Sequence, residues 1–339
     1  MRTARFLSGG QAGQPNFFHV ISRVVDRKLV FGDTEKEIFR KLLRKQLEFA
    51  GLREVAWCFM GNHFHLLLEV PDKDDSLAGW TEDDFLHRLE LLNSERYTQI
   101  VLANVAMWKR NGNAEAVAQV AESVRARLFD LSAFMKEFKQ KFTMWFNGTH
   151  GRRGTLWEER FKSVLLEDGN AVRTVAAYID LNPVRAGLCE NPEDYRWCSY
   201  AAAIAGDVES RRGLASAFRR ERWTGKLARD YRLILFGEGQ EVSGGVTPRG
   251  YVKPRRGFSR ERVLAEQKRG GKLALHEALR CRVRYFTSGA VIGSRAFVDE
   301  IFERHRDRFG PKRETGARKM RGADWGALTS LRDLREALQ

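Results

Sequence analysis

Residues 55–70 contain two short apolar runs, Val55–Met60 and Phe64–Val70, broken only by Gly61-Asn62. Their length and β-branched and aromatic content predict two strands joined in a hairpin. Successive side chains of a strand point to opposite faces. His63 and His65 therefore share one face, and Phe64 enters the other, apolar one. Two imidazoles on one side of a rigid strand can form half of a metal site, and such a pair at a strand end can equally be structural. The remaining ligand and the chemistry must come from elsewhere in the chain.

The chain has 339 residues, 43% of them hydrophobic, which is enough for real cores and predicts two or three domains. Its formal net charge of +15 favours a polyanion, with nucleic acid ahead of an acidic membrane surface. The four cysteines are scattered without a CxxC pair, which excludes a zinc ribbon and a disulfide framework. Cys58, in a strand, is expected as a small buried hydrophobe. Met1–Phe6 has no apolar signal region, and no apolar stretch approaches the roughly 20 residues that span a bilayer. The expectation is a soluble protein of the reducing cytoplasm with no membrane association. No glycine loop of the Walker type is present.

Residues 1–15 read as a flexible lead. Phe17–Val25 reads as a strand, and Asp33-Thr34-Glu35 opens a helix that runs to Ala50. Thr34 with Glu37 fits a capping box, and Ile38, Leu42, Leu43 and Leu47 form one apolar face. Residues 71–131 begin acidic and then turn helical, as an insertion into the sheet domain. Ser132–Phe146 is an amphipathic helix, 147–154 a basic glycine-rich loop, Phe161–Glu167 a fourth strand and Asn170–Leu181 a further helix. The order β-α-β-β-(insert)-α-β-α predicts an α+β fold, a ferredoxin-like or RRM-like antiparallel sheet with helices on one face. This domain is expected over residues 16–205. Residues 206–257 are expected as a linker. Residues 258–310 are expected as a helical domain of helix-turn-helix type, with helices at Arg260–Lys268, Leu273–Arg282 and Ser294–Arg308. A basic tail then covers 311–339.

A second constellation lies at Tyr178-Ile179-Asp180-Leu181-Asn182-Pro183. Pro183 ends the helix at Asn182. Tyr178 and Asn182 are four residues apart and share a helix face. A tyrosine there can be a nucleophile and an amide oxygen a metal ligand. The residues alone equally allow a core aromatic and a helix-terminal asparagine. Arg152 and Arg153 lie in the glycine-rich loop, Arg160, Lys162 and Arg185 flank the site, and Arg23 is on the first strand. Each alone is an ordinary surface charge; as a set they suit a groove that tracks a nucleic-acid strand. His19 and His150 are expected in structural or DNA-contacting roles, not as ligands.

Four segments together carry a resemblance to a known family. They are Asn62-His63-Phe64-His65-Leu66-Leu67, Gly154-Thr155-Leu156-Trp157-Glu158-Glu159-Arg160-Phe161-Lys162-Ser163, Tyr178–Leu188 and Asp194-Tyr195-Arg196-Trp197-Cys198-Ser199-Tyr200. Over residues 15–202 the chain resembles the single-tyrosine HUH transposases, within them the REP-associated branch. The resemblance implies cleavage and rejoining of single-stranded or hairpin DNA through a 5′-phosphotyrosine. It implies His63 and His65 as ligands of Mg²⁺ or Mn²⁺, Tyr178 as the nucleophile, and Asn182 as the third ligand. Smaller insertion-sequence relatives place a glutamine where Asn182 stands. The shorter amide demands a closer approach of helix to sheet. The implied setting is the bacterial nucleoid, as monomer or homodimer. Two other readings are a catalytically silent hairpin-binding descendant and a metal-dependent nuclease that uses water.

Overall fold

The computed structural model describes residues 13–92, 95–189, 192–236, 245–247, 250–252, 286, 290–320 and 325–332. The expected order begins as β1 (Asn16–Arg23), α1 (Asp33–Ala50), β2 (Arg53–Phe59) and β3 (His63–Val70). The insertion forms α2 (Lys73–Ser76), α3 (Glu82–Leu92), α4 (Glu95–Arg110) and α5 (Ala114–Arg125). Then come α6 (Leu131–Thr149), β4 (Lys162–Leu166), α7 (Asn170–Asp180) and the single turn α8 (Asn182–Arg185). The strands pair antiparallel in the order β2-β3-β1-β4. That order, with crossover helices α1 and α6 packed together on one face, is the ferredoxin-like arrangement the sequence predicts.

Alternation along the strands builds two separate cores. Phe18 and Val20 of β1, Phe64, Leu66 and Leu68 of β3 and Leu165 of β4 face α1 and α6. Phe39 of α1 is the hub there, with ring centroids 4.6–4.9 Å from Phe59, Phe64, Phe138 and Phe142. Such pairs add about 0.5–1.5 kcal/mol each beyond the area they bury. Phe17, Leu67, Val164 and Leu166 face the other way, against Val172, Val175, Ala176 and Ile179 of α7. The small residues Ala171, Ala176 and Ala177 are buried and let α7 lie close to the sheet.

Helices therefore cover both faces, with α1 and α6 on the predicted side and α7 on the opposite one. Beside α7 lie α9 (Ser199–Ala205), α10 (Val208–Ser216) and α11 (Gly225–Phe236). This corrects the linker expected over 206–257: its described part up to Phe236 is helical and packed. Leu227, Tyr231 and Leu235, spaced four apart, are buried and give α11 its inner face. Gly213 permits the contact of α10 with β2, because a Cβ there would sit 2.4 Å from the Glu54 carbonyl oxygen. Beyond α11 the described residues give the two-stranded β5 (Gly245–Thr247) and β6 (Gly250–Val252).

The C-terminal part also departs from expectation. The predicted helices at 260–268 and 273–282 lie outside the described residues, as do residues 1–12 of the lead. The described segment gives β7 (Val291–Gly293), α12 (Arg295–Arg304), β8 (Arg318–Lys319) and β9 (Thr329–Leu331). β7 pairs parallel to β4, and β9 and β8 follow antiparallel, so the sheet has seven strands. The basic tail thus includes sheet strands and the buried Trp325, Leu328 and Leu331. Two- and three-residue strands carry no periodicity of their own; only the neighbouring strand defines them. At α1, the Thr34–Glu37 capping box does not form. Gly32 is the N-cap, the Asp33 carboxylate accepts from Trp197 Nε1 at 2.7 Å, and Glu37 pairs with Arg196.

One buried carboxylate locks α7 in place. Asp180 accepts hydrogen bonds from Ser199 Oγ (2.7 Å), Tyr200 N (2.9 Å) and Tyr231 Oη (2.7 Å). Ser199 Oγ in turn accepts from the Trp57 amide of β2 at 3.1 Å. Burial pushes the Asp180 carboxyl up to about 6, and the three donors oppose that rise. Asp180→Ala strands those donors in an apolar core. It is expected to lower unfolding stability by roughly 3–5 kcal/mol, read by urea denaturation, whereas Asp180→Asn costs less.

Candidate active site

β1 and β3 pair with Arg23 opposite His63 and Ile21 opposite His65. Odd-numbered residues of both strands and even-numbered residues of β4 face α7. His19, Arg23, His63, His65 and Lys162 consequently share the face over which α7 lies. The hairpin turn is closed by Met60 N donating to His63 O at 2.8 Å, and Val30 N and Phe31 N both donate to Gly61 O. The tip that carries His63 is thereby tied to the segment after β1.

The hydrogen bonds assign the imidazole tautomers. Asn62 Nδ2 donates to the Arg27 carbonyl at 2.6 Å, which turns Asn62 Oδ1 toward His63 Nδ1 at 2.7 Å. An amide oxygen only accepts, so His63 carries its proton on Nδ1. Deeper in the sheet, His19 Nδ1 lies 2.7 Å from the Phe286 carbonyl and must donate to it. His19 Nε2 lies 3.0 Å from His65 Nδ1, and the two rings are nearly parallel (19°) with centroids 5.2 Å apart, edge to edge. Burial holds His19 down to about 3 and His65 well below the ordinary imidazole value, and the nearby Arg185 adds to both shifts. Both rings are therefore neutral at pH 7. In a neutral pair His19 Nε2 accepts and His65 Nδ1 donates. Each histidine of the HxH pair thus engages a neighbour through Nδ1, so Nε2 is the ring nitrogen that could meet a cation in this tautomer.

The Tyr178 ring meets this group. Its centroid is 6.0 Å from His65 and 5.9 Å from His19, edge-on to both. Arg185 stacks over it at 3.7 Å, and Phe286 packs edge-on at 4.6 Å. Tyr178 is 3% exposed. Asn182 is also close, but as a helix terminator. Its Nδ2 donates to the Tyr178 carbonyl (3.3 Å) and the Ile179 carbonyl (3.1 Å), and its Oδ1 accepts from Arg185. No group of three or more His, Cys, Asp or Glu side chains among the described residues is arranged to hold a metal ion. The side chains here that could hold a cation are the two imidazoles; Asn182 Oδ1 is engaged by Arg185.

The basic residues divide between the two sides. Arg23, Lys162 and Arg185 lie on the α7 side, Lys162 paired with Glu159 at 2.9 Å. Arg152 stacks over Phe146 of α6 at 5.8 Å, and Arg160 Nη2 donates to Ser132 Oγ of α6 at 3.3 Å. These two turn toward the opposite helical layer, and Arg153 is exposed in the loop between them. His150 pairs with Glu35 (3.1 Å) and packs tilted against Phe146 (4.3 Å), a structural placement. Sequence reasoning marks His19 as structural or DNA-contacting, without its link to His65, and does not single out Phe286. His19 had a usable signal, since it shares the odd-numbered face with Arg23 on a strand flanking the HxH strand. Phe286 had none, because a remote segment delivers it.

The fold and this face define a protein of α+β class with a tyrosine, an HxH pair and an arginine gathered over one sheet. No family model matches the chain. The chain is similar to a protein of Haemophilus influenzae (strain Rd) named "Putative REP-associated tyrosine transposase", 21% identical over 170 residues, 50% of this chain and 71% of that protein. A solved structure described as a REP-associated tyrosine transposase bound to a REP hairpin aligns at 15% identity with a TM-score of 0.38, covering 61% of this chain and 87% of that one. No helix among the described residues is long and apolar enough to cross a membrane.

Proposed function

We propose that the chain is a transposase-like enzyme that binds hairpin-forming DNA and cleaves and rejoins one strand through Tyr178. The observation that carries this reading is the 6.0 Å separation of the Tyr178 and His65 rings across the helix–sheet junction. In the step proposed, Tyr178 Oη bonds to the scissile phosphorus and the P–O3′ bond breaks. The phenol proton leaves, the 3′-oxygen departs as a hydroxyl, and a 5′-phosphotyrosine holds the DNA end. Attack by another 3′-hydroxyl reverses the step and reseals a strand, so the phosphodiester energy is retained without a nucleotide cofactor. Mg²⁺ or Mn²⁺ bound by His63, His65 and Asn182 would polarise the phosphate as a Lewis acid. Arg185 lies between Tyr178 and Asn182, so it can move from the asparagine oxygen to the phosphate. Because the Tyr178 ring is nearly fully buried, DNA reaches it only as Arg185 and Phe286 shift.

A labelled hairpin oligonucleotide incubated with the protein and Mn²⁺ is expected to give a covalent adduct on a denaturing gel. Tyr178→Phe and His63→Ala are each expected to abolish adduct and cleavage. Tight hairpin binding with no adduct would favour the silent binding protein. Cleavage surviving in Tyr178→Phe would favour a water-using nuclease. A separate expectation concerns the groove. If Arg23 and Lys162 contact phosphates, each alanine substitution lowers the slope of log affinity against log salt by about 0.7–0.9. Arg152→Ala and Arg160→Ala, on the α6 side, change it less, as read by titration at several salt concentrations.

A further inference from the structure

We propose that His19 is a positioning residue for the metal site. It receives the Nδ1 proton of His65 and so fixes the tautomer whose Nε2 can bind a divalent cation. This deepens the function proposed above and rests on its reading of His63 and His65 as ligands. The geometry is a directed chain. The Phe286 carbonyl accepts from His19 Nδ1 at 2.7 Å, which leaves the His19 Nε2 lone pair facing His65 Nδ1 at 3.0 Å. A carbonyl has no proton to give, so the direction of the whole chain is set at its Phe286 end. His19 is 0% exposed and its ring is nearly parallel to that of His65 (19°), so the acceptor cannot be replaced by solvent and the hydrogen bond holds the His65 ring in plane. Outer partners of this kind orient a ligating imidazole and raise its basicity, and their loss typically weakens metal affinity by about 10–100-fold. His63 is oriented separately, through Asn62 at the solvent end of the hairpin.

The test uses the full chain and Mn²⁺ alone, with affinity read from the electron paramagnetic resonance signal of free Mn²⁺. His19→Phe keeps a planar ring at this position but removes the acceptor. It is expected to weaken Mn²⁺ binding about 10–100-fold. His19→Gln places an amide oxygen near the Nε2 position and is expected to restore binding to within a few-fold of wild type. Independently, ¹⁵N NMR of the wild-type protein is expected to show His65 protonated on Nδ1, a state that a purely packing role for His19 would not fix. Wild-type affinity in His19→Phe, or a His65 proton on Nε2 in the wild type, would overturn the proposal alone. A wild-type protein that binds no Mn²⁺ would overturn the metal reading and the proposal with it.

Discussion

The buried carboxylate of Asp180 is the joint on which the arrangement depends. It stands two residues beyond Tyr178 on α7 and collects donors from the α9 end and from α11. Ser199 links it to the backbone of β2, the strand that begins the histidine hairpin. The Asp194–Tyr200 segment adds to this joint. Tyr195 Oη donates to the Phe59 carbonyl at 2.6 Å, and the Phe59 amide donates to Trp197 O at 2.9 Å. A helix of small residues can slide and rotate on a flat apolar sheet. A multiply bonded carboxylate removes that freedom, because any rotation leaves a charged group unpaired in the core.

From that fixed helix, the two sides of the sheet take different work. The α1–α6 side is an aromatic core around Phe39, closed and apolar. The α7 side mixes small apolar residues with imidazoles, a phenol and a guanidinium. Strand alternation separates the two without any extra element, since Phe64 and its neighbours His63 and His65 belong to opposite layers. Buried imidazoles beside arginines stay neutral, and neutral imidazole is the form that donates a lone pair. The charge that Arg185 brings helps keep the imidazoles neutral and is of the sign suited to phosphate.

Much of this was legible in the sequence where a period or a spacing encoded it. The shared face of the HxH pair and the ferredoxin-like strand order follow from alternation, whereas the helix of Tyr178 ends at Asp180 and Asn182 turns back to its carbonyls. What escaped depends on contacts remote in the chain. His19 shows its role only when β1 is set beside β3. Phe286 reaches the site from a segment 267 residues away from His19. The failed capping box shows the same limit: Asp33 and Glu37 are claimed by Trp197 and Arg196, so tertiary partners outcompete the local motif. In the described part of the linker expected at 206–257, the four-residue spacing of the buried Leu227, Tyr231 and Leu235 was the overlooked helical signal.

The central claim is that a phenol held against an imidazole pair is the group that takes the DNA end. Peptide mass mapping of the protein–DNA species tests it most directly, because trypsin releases Tyr178 in the peptide Thr174–Arg185. The account predicts the nucleotide mass on that peptide. A nucleotide mass on any other tyrosine or serine would contradict it.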